Sequence, residues 1–410
     1  MNFKSIDSRI FELRIGEMKR KLLTILYFFP FLLSAQWELS ERAQISIITC
    51  GPGQNELYSA FGHSAVRVHD PEKGLDWVYN YGIFDFDQPN FYLNFAKGNL
   101  NYMLAVGYFD RFKQAYLKEG RFMHEQVLQL SPSQKQAYFD FLQHNAKEEN
   151  RTYAYDYFYD NCATRIRDGL WQVLGPQQML YPTDYVQTGP SIRQLCDLYL
   201  KQQPWGDWAI DFCLGLPMDK TAEPWEFMFL PDYLEKALAQ TKLKTAQGWQ
   251  PIVKEHRVLN GQAPQEVAFL WWQPWTFFLA LLVLALLLTV AFYQTPRKAI
   301  LFDAILYGVV GFLGIFLMVL WFFTDHRAAA QNLNLLVYNP ALLVVVYLHI
   351  RQRYGGIWHW FNAIIPYYYA VIIAVWLFLP QQMHPAHLAL MAVFMLRSWH
   401  LSYKLKKPRQ

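Results

Sequence analysis

The run Tyr155-Asp156-Tyr157-Phe158-Tyr159-Asp160-Asn161-Cys162-Ala163-Thr164-Arg165 holds the cysteine best suited to chemistry. Asp160 or Asn161 is a good helix N-cap. Either choice puts Cys162 in the first helical turn, where backbone amides and the helix dipole favour a thiolate. Such a thiolate is a nucleophile once a base reaches it, and the same amides can hold an oxyanion. The plain alternative is a small buried hydrophobe at a helix start. A base is available in His63, which follows Phe61-Gly62 where a strand begins, because a glycine before a polar residue lets another element come close. A hydrogen-bonded structural histidine is the alternative there. If segments 63–69 and 76–85 pair as a hairpin, Asn80 lies near His63 and can orient the imidazole as the third member of a Cys/His/polar triad. His69 reads as surface, and His124 and His144, in charged surroundings, read as solvated.

Strands and helices must carry these residues. Residues 44–50 (Gln-Ile-Ser-Ile-Ile-Thr-Cys) read as a strand and Gly51-Pro52-Gly53 as a turn. Residues 63–69 are a second strand, 70–74 a turn, and 76–85 the returning strand. Residues 132–146 and 161–174 read as helices, the latter with Ile166, Leu170, Val173 and Leu174 on one face. Strands and helices in separate blocks point to an α+β domain.

The chain has 410 residues, of which 53% are hydrophobic, 18% aromatic and only 17% charged, a balance that puts part of it in lipid. Residues 36–266 carry twenty-one Lys/Arg against twenty-eight Asp/Glu, a net of −7, while residues 267–410 carry ten against two. The overall +4 therefore belongs to the C-terminal part and the leader. With no basic soluble domain to neutralise phosphates, a nucleic-acid partner is excluded. No internal repeat or low-complexity tract is evident.

From Met18 the chain reads Met18-Lys19-Arg20-Lys21, an apolar run over 22–33, then Ser34-Ala35-Gln36: the three regions of a secretory signal, with 1–17 an upstream extension. A retained anchor is the alternative, although the run is short for spanning. Either way the domain at 36–266 is exported. Five later stretches have spanning length, at about 274–292, 300–323, 334–350, 358–379 and 387–403. Asn332, Asn334 and Asn339 blur the third, for which a re-entrant segment is the alternative. With the N-terminal domain outside, Arg297 and Lys298, then Arg351 and Arg353, then Lys404, Lys406, Lys407 and Arg409 all fall inside, as the positive-inside rule requires.

A histidine on one strand, a polar residue on the next and a later cysteine opening a helix resembles the order of circularly permuted papain-like (NlpC-type) enzymes, whose relatives include acyltransferases acting on phospholipids. More closely, four segments look like the Bacteroidota-type lipoprotein N-acyltransferase family. They are Phe61-Gly62-His63-Ser64-Ala65-Val66-Arg67-Val68, Val78-Tyr79-Asn80-Tyr81-Gly82-Ile83-Phe84-Asp85-Phe86, Asp160-Asn161-Cys162-Ala163-Thr164-Arg165 and Phe229-Leu230-Pro231-Asp232-Tyr233-Leu234. The resemblance covers nearly the whole chain after the leader. It implies an α+β permuted papain-like periplasmic domain followed by an all-α transmembrane domain, with Cys162 as acyl-accepting nucleophile and His63 as base. It does not extend to the third residue. The implied reaction moves an acyl chain from phospholipid to Cys162 as a thioester, then to the N-terminal amine of a diacylglyceryl lipoprotein. No cofactor is implied; the partners are the phospholipid donor, the lipoprotein acceptor and the inner membrane.

Substrate contacts have further candidates. The loop from Thr324-Asp325-His326-Arg327 to Asn339-Pro340 places polar groups at a membrane face, costly unless paired or wet. His326, Asn332 and Asn334 are therefore candidates to meet a head group or the acceptor, with capping and interhelical hydrogen bonds as the alternative. Tyr81 beside Asn80 and Arg165 beside Cys162 join them. Arg165 and Arg167 suit a phosphate, although salt bridges to Asp156, Asp160 or Asp168 are the commoner use. The tyrosines of 153–159 either line an apolar groove that keeps a thioester dry or are ordinary core. Cys196 and Cys213 are spaced for a disulfide, with Cys50 also available. No cluster has zinc or calcium spacing in the sequence, and no glycine-rich phosphate loop follows a strand. Two rival readings are a cysteine peptidase or amidase cutting cell-wall peptides with the same pair, and a non-enzymatic envelope scaffold.

Overall fold

The computed structural model describes residues 37–84, 89–99, 101–261, 271–351 and 356–404. The expected leader, the domain boundary near 266, Arg353 and the C-terminal Lys406, Lys407 and Arg409 lie outside the described residues. Among the described residues the strands are β1 (Gln44–Cys50), β2 (His63–Asp70), β3 (Leu75–Ile83), β4 (Asn101–Tyr108), β5 (Met123–Leu128), β6 (Thr152–Ala154), β7 (Met179–Leu180), β8 (Lys242–Thr245), β9 (Gly248–Pro251) and β10 (Val253–Asn260). Seven form one sheet in the order β10-β5-β1-β2-β3-β4-β6, every pairing antiparallel, and β7-β8-β9 form a small second sheet. The first three strands arise as their sequences suggest. β2 and β3 pair from Asp70 opposite Leu75 to Val66 opposite Tyr79, which carries Asn80 toward the start of β2.

The helices of this domain are α1 (Phe91–Lys97), α2 (Phe109–Lys118), α3 (Pro132–Ala146), α4 (Cys162–Leu174), α5 (Ile192–Asp197), α6 (Pro204–Cys213), α7 (Pro224–Phe227) and α8 (Pro231–Gln240). They interrupt the strands rather than following them in a block, so the α+β class rests on antiparallel pairing, not on segregation along the chain. Alternation along the strands splits the core. Ile45, Ile47, Val66, Val68, Tyr79 and Tyr81 face α3, α4 and α8 through Phe139, Leu142, Ile166, Leu170, Leu234 and Leu238. Ile48, Cys50, Ala65, Val78 and Met123 take the other face, against Phe109 and Phe112 of α2.

The C-terminal part is helical: α9 (Pro274–Ala291), α10 (Ile300–Phe323), α11 (Leu342–Ile350), α12 (Gly356–Val375) and α13 (His387–Lys404). Three helical stretches, Pro274–Ala291, Pro296–Phe323 and Gly356–Phe378, are long and apolar enough to cross a membrane. The other two expected spans do not meet that test. α11 has nine residues and rises only about 14 Å, being preceded by a 3-10 turn at Leu333–Leu336. α13 interrupts its apolar run with Arg397, Ser398 and His400.

Those polar groups have partners. Arg397 and Asp303 are fully buried and joined in a fork, Nε to Oδ1 at 2.7 Å and Nη2 to Oδ2 at 2.8 Å, and Arg397 Nη1 also donates to Thr289 Oγ1 at 2.7 Å. One guanidinium thus ties α9, α10 and α13 together. Charges in a medium that solvates them poorly are tolerable only when matched this way.

A second network joins the two parts. Arg193, fully buried, donates to both carboxylate oxygens of Asp219, to Asp211 and to the carbonyls of Leu214 and Gly215, shaping the loop after α6. Asn332 Nδ2 reaches the carbonyls of Phe212 (2.9 Å) and Cys213 (3.1 Å), Asn334 Nδ2 those of Asp211 (2.9 Å) and Phe212 (3.1 Å), and Gln381 Nε2 that of Leu214 (3.1 Å). At Gly215 the chains touch so closely that a Cβ would stand 1.8 Å from the carbonyl oxygen of Ala330, so only glycine fits. Trp205, Trp208, Trp272 and Phe277 cluster at this level, the placement aromatic side chains favour at a membrane interface.

Because breaking a buried pair strands the remaining charge, Asp303→Ala and Arg397→Ala are each expected to cost about 3–5 kcal/mol. The midpoint of thermal unfolding in detergent measures this. The double change Asp303→Leu/Arg397→Met should cost much less than the two single losses added together.

Candidate functional site

Asn161, not Asp160, caps α4. Its Oδ1 accepts from the amides of Ala163 and Thr164, both at 2.9 Å, and its own amide donates to Thr164 Oγ1 at 2.7 Å, closing a capping box. Its Nδ2 donates to the carbonyls of Tyr157 and Phe229, both at 2.8 Å. Every hydrogen-bonding group of this buried residue has a partner, and Cys162 beside it is held as the first residue of the helix. Asp160 instead grips the guanidinium of Arg165 with both carboxylate oxygens.

His63 opens β2, and Gly62 before it sits at φ +81, where a Cβ would lie 2.9 Å from the carbonyl oxygen of Cys50. The backbone can therefore approach as the Phe-Gly-His order suggests. His63 Nε2 donates to Asn80 Oδ1 at 2.5 Å. That leaves Nδ1 for the Cys162 sulfur, with which the imidazole is hydrogen-bonded. The ring lies parallel to Tyr116 at 6.3 Å and tilted against Phe112 at 6.4 Å, two α2 residues one turn apart.

The electrostatics of the pair are reciprocal. Burial works to lower the His63 pKa, but the neighbouring thiolate and the hydrogen bonds to Cys162 and Asn80 outweigh it, so the imidazole is raised above its ordinary value. Burial works to raise the Cys162 thiol, but the imidazolium, its hydrogen bond and the backbone amides of Ser64 and Ala163 outweigh it, so the thiol is lowered. The arrangement favours a thiolate–imidazolium pair titrating as a unit. The other cysteines behave oppositely: burial pushes Cys50 and Cys196 well up and Cys213 up to about 11. All four are free, so neither the Cys196–Cys213 disulfide nor a pairing with Cys50 is formed. Cys196 packs with Ile192 and Leu195, while Cys213 lies against the helical part's core.

Cys162, His63 and Asn80 are thus brought together, and the other sequence candidates stand elsewhere. Tyr81 is buried core, edge-on to Tyr153 and bonded to Asn145, and offers a substrate no surface. Arg165 is paired with Asp160 and lies 4.0 Å over the Tyr153 ring. Asn332 and Asn334 are buried with their amides donated to backbone carbonyls, so both serve the joint between the two parts. His326 Nε2 meets the carbonyl oxygen of Phe95 at 3.1 Å, beside the bond from the Asp325 amide to Lys97 O. Arg167 pairs with Asp168 and covers Trp225. His144 is exposed as expected. His124 is not merely solvated: it bonds Glu235.

The aromatic run extends outward from the thiol. Burial, then the charge of Cys162, raises the Tyr155 phenol. Tyr155 stacks on Tyr102 at 4.3 Å, Tyr102 lies tilted against Phe84 at 5.1 Å, and Phe84 meets the exposed Tyr58 edge-on at 6.0 Å. Sequence reasoning missed Tyr102, Tyr58, Phe112, Tyr116 and the Ser64 amide. The four-residue spacing of Phe112 and Tyr116 was a usable sign of a helix face; nothing local marks the others.

Two family models match the chain: one described as the Lnb N-terminal periplasmic domain, over residues 38–190, and one as the Lnb transmembrane domain, over residues 265–408. No curated protein and no solved structure matches.

With its pKa lowered, Cys162 should alkylate with iodoacetamide at a pH below the ordinary thiol midpoint of about 8.5. In His63→Ala the amides of Ser64 and Ala163 alone are left to oppose burial, and the midpoint should rise. Peptide mass spectrometry across a pH series reads both; a Cys162 profile matching that of Cys213 would overturn the activated thiol.

Proposed function

Because the chain belongs to the Lnb family, whose domains suggest a membrane lipoprotein N-acyltransferase-type role, we propose that Cys162, His63 and Asn80 are its catalytic residues. The observation that carries this reading is the single lowered thiol among four, hydrogen-bonded to an imidazole that Asn80 holds from the far side. We read the N-terminal domain as a permuted papain-like fold. The Cys162 thiolate attacks an ester carbonyl of a phospholipid; the C–O bond breaks, and the departing alkoxide takes the proton from His63, leaving a lysophospholipid and an acyl thioester. The α-amine of a diacylglyceryl-cysteine lipoprotein then attacks the thioester. His63 takes the amine's proton, and the thiolate is restored with the amide bond formed.

Several features support a membrane setting for this chemistry. The tyrosine and phenylalanine path from Tyr155 to Tyr58 suits an acyl chain and disfavours water, the competing acceptor. The joint built from Arg193, Asn332, Asn334 and Gln381 fixes the height of the domain over the helices, and positioning two membrane-anchored substrates against one thiol is itself a large part of catalysis. Arg297, Lys298, Arg351 and Lys404 lie at helix ends remote from that joint. We read this as a multi-pass inner-membrane protein in which α11 and α13 accompany the three full-length spans, with residues 36–266 in the periplasm and 267–410 in the membrane.

The test is intact mass spectrometry of the detergent-purified protein after incubation with phospholipid. A hydroxylamine-labile acyl increment is expected on Cys162 and absent in Cys162→Ala. In His63→Ala its formation should slow by about 10²–10⁴-fold. No increment in the wild type, with triacylated lipoprotein still made in cells carrying Cys162→Ala, would overturn the mechanism.

A further inference from the structure

We propose that His124, Glu235 and His256 form a binding site for a borderline divalent transition-metal ion, best matched by zinc, that clasps the edge strand β10 to α8 and β5. The three residues come from separate elements, so no sequence spacing announces them. Their ligating atoms all lie within 4.8 Å of one another. Glu235 Oε1 is the shared centre, 2.9 Å from His124 Nδ1 and 2.8 Å from His256 Nε2. Bonds of about 2.1 Å at the tetrahedral angle would set donor atoms about 3.4 Å apart. The two separations to Glu235 are about half an ångström shorter than that spacing and the third is at most 4.8 Å, so small outward shifts of the imidazoles would admit an ion.

Donor chemistry selects the metal class. Two imidazole nitrogens and one carboxylate oxygen suit zinc and its neighbours, whereas magnesium and calcium want all-oxygen shells. Three protein ligands leave a fourth position for water. The ligands are also held in advance. His256 pairs across the sheet with Gln126, two residues along β5 from His124, so both imidazoles stand on the face that α8 covers. The His124 ring stacks on Phe122 at 4.6 Å, and Gln126 Nε2 donates to the Glu235 carbonyl at 3.0 Å, fixing α8 against β5. His256 is 43% exposed at its side chain and His124 26%, which leaves an ion a way in.

The position gives the clasp mechanical meaning. β10 is an edge strand with register irregularities on both sides of His256, and it is the last strand before the helical part. α8 begins at Pro231, whose ring would lie 3.6 Å from a Cβ at Gly62, the residue before His63. A metal fastening α8 and β10 to β5 therefore steadies the backbone that presents His63.

The test uses untagged full-length protein in detergent, stripped with a chelator and titrated with zinc chloride by calorimetry, with bound metal counted by elemental analysis. One equivalent is expected, with a rise in the thermal midpoint. Cobalt(II) in its place should give the visible absorption of a tetrahedral nitrogen and oxygen shell. His256→Ala at the partly exposed ligand should abolish both heat and spectrum, Glu235→Gln should weaken binding at least tenfold, and His144→Ala should leave binding intact. If the wild type binds no stoichiometric zinc, or if His256→Ala binds it equally well, the cluster is a hydrogen-bonded carboxylate and nothing more.

Discussion

One negative sulfur and one positive imidazole must be kept together at the rim of an apolar core, and the N-terminal domain is arranged around that requirement. Either charge alone would be costly there, since burial opposes both ionised forms. The pair is favoured because partners converge on it from separate elements: Asn80 on the far nitrogen of His63, and the amides of Ser64 and Ala163 on the sulfur. Asn161 makes this possible. By capping α4 while also bonding Tyr157 and Phe229, it fixes where the helix begins, and hence where the sulfur stands relative to β2.

Height above the helices is the second constraint. The polar loop residues of the helical part are spent on backbone carbonyls of 211–214, and Arg193 organises the same loop from the other side. This division of labour explains why polar side chains can sit buried at a membrane face without being ligands. Their cost is met by carbonyls that would otherwise lack donors. The Asp303–Arg397 fork solves the same problem between helices.

Much was legible in the chain. The strand–turn–strand pattern at 44–83, the helix at 132–146 and the capped helix carrying Cys162 follow from local alternation, turn residues and capping chemistry, which act over a few neighbours. The change of composition after 266 pointed to apolar helices, which the described chain shows from Pro274 onward. Five apolar stretches were legible too, but among the described residues three alone combine sufficient length and apolarity, because α11 is short and α13 carries the arginine that binds Asp303.

What sequence alone determined, then, was local: which residues start helices, which strands turn back, where apolar chain begins, and that Cys162 and His63 are candidates for nucleophilic chemistry. Tertiary structure decided everything that depends on distance between remote segments. It set the register that brings Asn80 to His63, the diversion of Tyr81 into the core and of Asn332 and Asn334 to the joint, and the convergence of His124, Glu235 and His256. The physical reason is that a side chain's partner is whichever group packing leaves unsatisfied beside it, and spacing along the chain carries no record of that.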